Sequence, residues 1–335
     1  MISVELRDPL SDPEPPGWTD FRRRENLAAT WDYQALHHAS TSWAPVMLAV
    51  FRQDEKIVGA VGAVYRGVRV SRPPRRRREP LVVDVRLPGE GNGRPTWHFS
   101  ADVPPDARAG LMRVYERAAL RRLGVGTTGF VYRHVPVDEV TAVARRGALL
   151  RETAGDTELT LSTVDDWLAG LGSGRRKALR RRRRRIDEDL TVVIGRARTD
   201  VDADQLARMV NRHVAARTGR IDRRAPLPPS YFAALTAHDD VSTLTYTQAD
   251  GRLLATGTFL HHPTRPQLSW WASVPPEEGG RGHLYFDCYG RFVEYAVAAG
   301  AQRLSAGRGA DEHKRELGFA VVPARLVIVP RWAAG

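Results

Sequence analysis

Apolar residues at 284, 285, 288, 292, 293, 296 and 297 fall on one helical face and predict an amphipathic helix that stops at Gly300. Gln302 to Ala306 reads as a short strand. It enters the glycine turn Gly307-Arg308-Gly309 and then the charged run Asp311-Glu312-His313-Lys314-Arg315. Upstream, three strands are predicted near 241–249, 252–261 and 267–274, with Asp250-Gly251 as a tight hairpin between the first two. Before them come a short helix through Trp167, capped from Ser162-Thr163, and a helix from Ser173 or Gly174 to near Asp189. A strand over 191–198, an amphipathic helix over 202–217 and a helix over 228–238, with Pro229 in its first turn, complete this half. The last strand is expected over Ala324 to Val329.

The N-terminal half repeats the order more loosely. Phe21 to His38 is expected to be helical. Strands over 46–51 and 57–65 join through the turn Gln53 to Lys56, and a third strand covers 81–86. Pro104-Pro105 introduces a helix to about Leu123, followed by a strand over 128–135 and a helix over 137–146. Leu149 to Leu161 crosses out of this half. Helices, an antiparallel meander, then helix and strand, met twice, predict an α/β (α+β) chain of two domains, 1–160 and 161–335. A length of 335 residues suits two domains better than one.

Composition narrows the class. A 42% hydrophobic share supports ordinary cores. No apolar run approaches the roughly 18–20 residues that span a bilayer. The acidic, proline-containing start, Met1 to Gly17, does not have the pattern of a signal peptide. The single cysteine, Cys288, excludes an internal disulfide and a multi-cysteine metal site, and a reducing cytoplasm is the expected setting. His261-His262 has no partner at metal-ligand spacing, so no metal is expected.

Charge is the unusual feature. Lys+Arg is 51 against 39 Asp+Glu, a net +12, with lysine only at 56, 177 and 314. Nine of the eleven residues from Arg175 to Arg185 are basic: Arg175, Arg176, Lys177, Arg180, Arg181, Arg182, Arg183, Arg184 and Arg185. A second cluster holds Arg69, Arg72 and Arg75 to Arg78. Such patches attract phosphate backbones; the bland alternative is a solvated helix face and an exposed loop.

The run Leu284-Tyr285-Phe286-Asp287-Cys288-Tyr289, the turn Gly307 to Lys314 and Gly318-Phe319 together resemble the end of the Fem-type, acyltransferase-6-like branch of the GNAT superfamily. Gly172 to Arg181 is similar to that branch's Arg-rich helix start, and Gly257 with Trp270-Trp271 sits where its central strands sit. The resemblance is strongest over about 165–325. It implies two tandem GNAT-like domains, each a mixed, mostly antiparallel sheet flanked by helices. It also implies an acyltransferase that needs no cofactor and takes an aminoacyl group from aminoacyl-tRNA to an amine of a small molecule, peptide or cell-wall precursor. One departure stands out. Acetyl-CoA enzymes of the superfamily carry a (Gln/Arg)-x-x-Gly-x-(Gly/Ala) loop whose backbone N–H groups hold pyrophosphate. Here the place reads Glu277-Glu278-Gly279-Gly280-Arg281-Gly282-His283. An acyltransferase using acyl-CoA or an acyl carrier protein, and a non-catalytic nucleic-acid-binding protein, remain alternatives.

Amide formation needs a base for the ammonium proton, donors for the oxyanion and orientation of both substrates. Asp287, His313, Lys314 and Asp311 are the catalytic candidates, with His313 or Asp287 as base and Lys314 or Arg308 meeting the carbonyl oxygen or a donor phosphate. Trp270, Trp271, Tyr289, Arg308 and Glu312 are candidates for substrate contact. The competing reading of 311–314 is a solvated helix start whose acids favour the dipole. Cys288, on an apolar helix face, reads as a buried structural thiol.

Overall fold

The computed structural model describes residues 2–41, 45–67, 79–88, 95–218, 226–262, 266–309 and 311–335. The cluster Arg69, Arg72 and Arg75 to Arg78 lies outside the described residues. The chain divides into two compact units. The first holds the described residues of Met1–Asp156, Arg223–Pro228 and Val322–Gly335, and the second those of Thr157–Asp222 and Pro229–Val321. The sequence division at 160/161 differs from this at the C-terminus, where the chain from Val322 onward belongs to the first unit.

The first unit runs β1 (Ile2–Arg7), α1 (Trp18–Arg24), α2 (Tyr33–Ser40), β2 (Val46–Gln53), β3 (Lys56–Gly67), β4 (Leu81–Asp84), β5 (Thr96–Phe99), α3 (Pro105–Leu123), β6 (Thr127–Pro136) and the start of β7 (Leu149–Thr160). Most of β13 (Ala320–Pro330) completes it. Its strand order is β1-β2-β3-β4-β6-β13, with β5 also paired to β3. β13 enters through an antiparallel ladder with β6, from Ala324↔Pro136 to Pro330↔Gly129, and buries Val327 and Val329.

One strand was not expected, and two expectations need correction. Ile2 to Arg7 alternates and pairs with β2. The expected helix 21–38 is two helices: the first ends at Arg24, followed by Asn26 at a φ of 52°, and Asp32 caps the second, its Oδ1 accepting from the N–H of Gln34 at 3.0 Å and Ala35 at 3.2 Å. The expected helix 137–146 is a short 3-10 turn over Val137–Ala142.

The second unit runs from the end of β7 through α4 (Val164–Gly170), α5 (Ser173–Asp189), β8 (Thr191–Arg196), α6 (Ala203–Thr218), α7 (Pro229–Thr236), β9 (Val241–Thr247), β10 (Leu253–Leu260), β11 (Gln267–Ser273), α8 (Leu284–Ala298), β12 (Arg303–Ser305) and α9 (Asp311–Arg315). Its strand order is β7-β12-β11-β10-β9-β8. The apolar stripe read from the sequence is the buried face of α8: Leu284, Cys288, Phe292, Val293 and Ala296 are all 2% exposed or less. α8 lies close over β10 because Gly257 has no side chain. A Cβ there would sit 2.9 Å from Cys288 Sγ and 3.0 Å from a Phe292 ring carbon. Phe292 stacks on Phe259, centroids 5.3 Å apart. Trp271 shares this face, while Trp270 points to the other and meets Phe232 of α7, as strand alternation requires.

β11 and β12 are parallel neighbours that, among the described residues, pair at Gln267↔Ser305 alone. Beyond that point the two strands part, and the chain leaves β12 into the glycine turn. This splay sets the place of the site.

A buried polar knot joins β9, β10 and α8. Ser242 Oγ lies 2.8 Å from His261 Nε2 and 2.9 Å from the Tyr295 hydroxyl. Burial, with Arg196 adding to it, pushes the His261 pKa down to about 4. The neutral ring is therefore the folded form, whereas the unfolded ring takes a proton near pH 6.5. Protons bind the unfolded state first, so stability falls as pH drops from about 6.5 to about 4. His261→Gln should remove part of that slope, read as urea midpoints against pH; an unchanged slope would show that His261 does not contribute to it.

Candidate functional site

The site is best built from α5 and α8. Their arginines and acids do not act as one patch. Leu179 and Ile186 of α5 face the core. Arg183 and Arg176, seven apart, line one flank. Arg183 Nε donates to Asp287 Oδ1 at 2.9 Å and its Nη1 to both oxygens of Glu294, at 2.5 and 2.6 Å. Arg176 Nη1 reaches the carbonyls of Leu168 and Ala169 at the end of α4, at 3.2 and 3.3 Å. Arg175 and Arg182, also seven apart, line the other flank and lie over the Phe286 ring. Lys177, Arg180, Arg181, Arg184 and Arg185 are exposed and form a stripe along the helix. A shallow groove of ≈ 430 Å³ runs beside it, lined by Arg180, Arg183, Arg184, Asp187 and Glu188. The nine cations of the sequence thus divide into four that hold or flank structure and five that face solvent.

Asp287 is the centre of the buried network. It is 4% exposed, and its Oδ2 accepts from the Tyr246 hydroxyl at 2.8 Å and from Arg291 Nε at 2.6 Å. Arg291 also bonds Asp187 of α5. Burial, aided by the neighbouring thiol and Asp287, pushes the Tyr246 phenol far up, so it stays a donor. Arg183 and Arg291 are held protonated by these same acids against the burial that opposes their charge. Three donors thus converge on the two oxygens of Asp287. These bonds make Asp287 a fastener between α5 and α8. Gly290, one turn on, lets the helices approach: a Cβ there would come 2.8 Å from Arg183 Nη2.

On the far side of α8 the rings of Tyr285, Phe286 and Tyr289 form an aromatic wall. Tyr285 meets Trp271 of β11 at 5.7 Å and Tyr289 at 4.6 Å. Its hydroxyl donates to that of Tyr289 at 3.0 Å, which in turn donates to the Ala306 carbonyl at 3.4 Å. His313 faces the same wall, its exposed ring 5.4 Å from Phe286 and 6.4 Å from Tyr285. Trp271, Tyr285, Tyr289 and His313 therefore gather in the wedge where β11 and β12 part beside the glycine turn, with Tyr289 buried among them.

The glycine turn is fixed from below. The Gly307 carbonyl accepts from the Thr157 hydroxyl at 2.7 Å, the Thr157 N–H at 3.1 Å and the Lys314 ammonium at 2.8 Å. Gly307 and Gly309 have φ of 68° and 79°, which glycine adopts without strain. Lys314 is 2% exposed, so its charge sits in a dry setting. Asp311 is half-buried, and its Oδ1 is buried without a hydrogen-bond partner among the described residues. Glu312 is exposed and Arg308 half-buried. Trp270, turned to α7, is not brought to the wedge; its buried Nε1 finds no acceptor among the described residues. Cys288 is buried, and burial raises its thiol well above the ordinary value, which makes it a poor nucleophile.

The loop before α8 is engaged elsewhere. A Cβ at Gly280 would collide with the Val274 carbonyl at 1.9 Å, so this glycine serves packing against β11. Arg281 pairs with Asp189 at 2.5 Å and donates to the Arg185 carbonyl, and Glu278 pairs with Arg212. Among the described residues no three or more His, Cys, Asp or Glu gather as a metal nest, and no helix is long and apolar enough to cross a membrane.

Residues 173–315 match the family model described as an acetyltransferase (GNAT) domain. The structure of L-PGS from Bacillus licheniformis is similar over 94% of this chain and 92% of its own, with a TM-score of 0.61 at 8% identity. FemX is similar over 88% and 90%, TM-score 0.52, at 9% identity. A tandem GNAT protein from the clavulanic acid biosynthesis pathway is similar over 99% of both chains, TM-score 0.50, at 13% identity. A search of curated protein sequences finds no match. Residues 173–315 are thus similar to a GNAT acetyltransferase domain, and the fold of the chain is similar to those of FemX and of the tandem GNAT protein.

Sequence reasoning missed Phe286 as an arginine post and the inward role of Arg183. The seven-residue spacing of 175/182 and 176/183 was the available signal. Asp287→Asn leaves two guanidinium groups facing a neutral amide. It should cost about 3 kcal/mol in urea unfolding, the low end for breaking a buried pair because each arginine keeps a second acid. A loss of turnover with unchanged stability would instead return Asp287 to the chemistry.

Proposed function

We propose that this protein is an acyltransferase that moves an aminoacyl group from aminoacyl-tRNA to the amine of a small molecule, peptide or cell-wall precursor, with the wedge of the second unit as its site. The observation that carries the donor is the exposed stripe Lys177, Arg180, Arg181, Arg184 and Arg185, on the helix whose inner flanks reach the wedge wall. Five solvated cations on one face repel one another, and a polyanion relieves that repulsion while releasing its own counterions. Against coenzyme A stands the loop over 277–283, whose arginine and glycine are already committed to packing.

The chemistry is direct attack. The neutral amine adds to the ester carbonyl, the oxygen becomes an oxyanion, the ester C–O bond breaks, and the terminal ribose hydroxyl leaves with a proton. His313 is the group placed to take the ammonium proton, since its ring borders the wedge and is exposed. Lys314 is the cation assigned to the oxyanion. It is buried, where the local dielectric is low, and its ammonium donates to the Gly307 carbonyl at the head of the glycine turn. The Trp271–Tyr285–Tyr289 wall seats the acyl group.

Two experiments test this reading. Changing Arg180, Arg181, Arg184 and Arg185 together to Gln should weaken tRNA binding and lower the salt slope by about 3, as roughly 0.7–0.9 is lost per phosphate contact. An unchanged slope would reduce the stripe to a solvated surface. His313→Ala should lower kcat about 10²-fold and Lys314→Met about 10²–10³-fold. Melting temperatures separate these losses from unfolding, and full turnover in both would remove the wedge from the reaction.

A further inference from the structure

Phe286 is surrounded in a way that the acyl-transfer chemistry does not use. The guanidinium carbons of Arg175 and Arg182 lie 5.6 and 5.9 Å from its ring centroid, and the His313 ring is 5.4 Å away. Burial, with the charge of Arg182 adding to it, disfavours protonation of His283, which precedes α8. Glu316 pairs with Arg175 at this cluster. Arg182 Nη1 is buried and has no hydrogen-bond partner among the described residues. A buried guanidinium N–H without an acceptor is unfavourable, and guanidinium groups over an aromatic face are presented edge-out, as anion recognition needs.

We infer that the Phe286 post is a phosphate subsite, in which a phosphate oxygen of the acyl carrier accepts from Arg182 Nη1, flanked by Arg175. The inference rests on the acyl-transfer reading of the wedge, because His313 belongs to both. It does not rest on the carrier being tRNA. It places phosphate recognition on α5 side chains rather than on the backbone of the loop before α8. A phosphodiester at the end of an RNA and the pyrophosphate of coenzyme A share this chemistry, and the test separates them.

The probes are a fluorescein-labelled RNA tetranucleotide ending in CCA, the same probe with neutral methylphosphonate links, and coenzyme A. Each is titrated into the full chain, wild type and with Arg182→Gln or Arg182→Lys, and melting temperatures report folding. Expected is a loss of about 10-fold or more in RNA affinity for Arg182→Gln. Arg182→Lys should lose less, and the neutral probe should be insensitive to both. If coenzyme A rather than RNA depends on Arg182, the subsite stands and the aminoacyl-tRNA reading falls. If RNA affinity depends on Arg180 and Arg184 but not on Arg182, the reading stands and the subsite is overturned. Binding of neither probe by the wild type also overturns the subsite. Should Arg182→Gln fail to fold, wild-type RNA affinity in Arg182→Lys together with equal affinity for the neutral probe overturns it.

Discussion

The second unit depends on one interaction, the buried pairing of Arg183 with Asp287. Asp287 is drawn almost wholly out of water, and only because Arg183, Arg291 and Tyr246 supply donors to both its oxygens does the burial cost little. The pairing sets how α5 turns about its own axis. Once Arg183 points inward, helical spacing decides the rest. Arg176 closes the end of α4, Arg175 and Arg182 reach Phe286, and the remaining cations face water. Gly290 permits the approach, and Arg281 ties the far end of α5 through Asp189.

The second constraint is the single-residue pairing of β11 with β12. Parallel strands that kept their ladder would close over the space now occupied by the aromatic wall. Because they part after Gln267↔Ser305, Trp271 and the glycine turn come to opposite sides of a wedge, with α8 behind it. The turn is then over-determined: three donors hold the Gly307 carbonyl, one of them the Lys314 ammonium.

Charge therefore works at two ranges. Near the wedge, buried guanidinium and ammonium groups are positioned by specific acceptors, and salt screens them little. Along the outside of α5 the stripe is exposed, and its field is long-ranged and screened by salt. One helix serves both because its inner flanks and outer face are separated by only half a turn.

Much of this was legible in the chain. The stripe from Leu284 to Ala296, the Asp250-Gly251 hairpin and the glycine turn fixed the elements around the site, since helical and strand periods write burial directly into residue order. The motifs over 284–319 likewise indicated the superfamily. Individual roles were not legible. Asp287 and His313 look alike as ionisable candidates in a sequence, but one is enclosed by three donors and the other faces an open wedge. Trp270 and Trp271 are neighbours that the pleat sends to opposite faces. Alternation alone could not say which face was the wedge. The arginine run gave a helix and a net charge from local spacing alone. Which arginines turn inward was decided by partners more than a hundred residues away, on α8, because a buried charge takes its place from the opposite charge that solvates it.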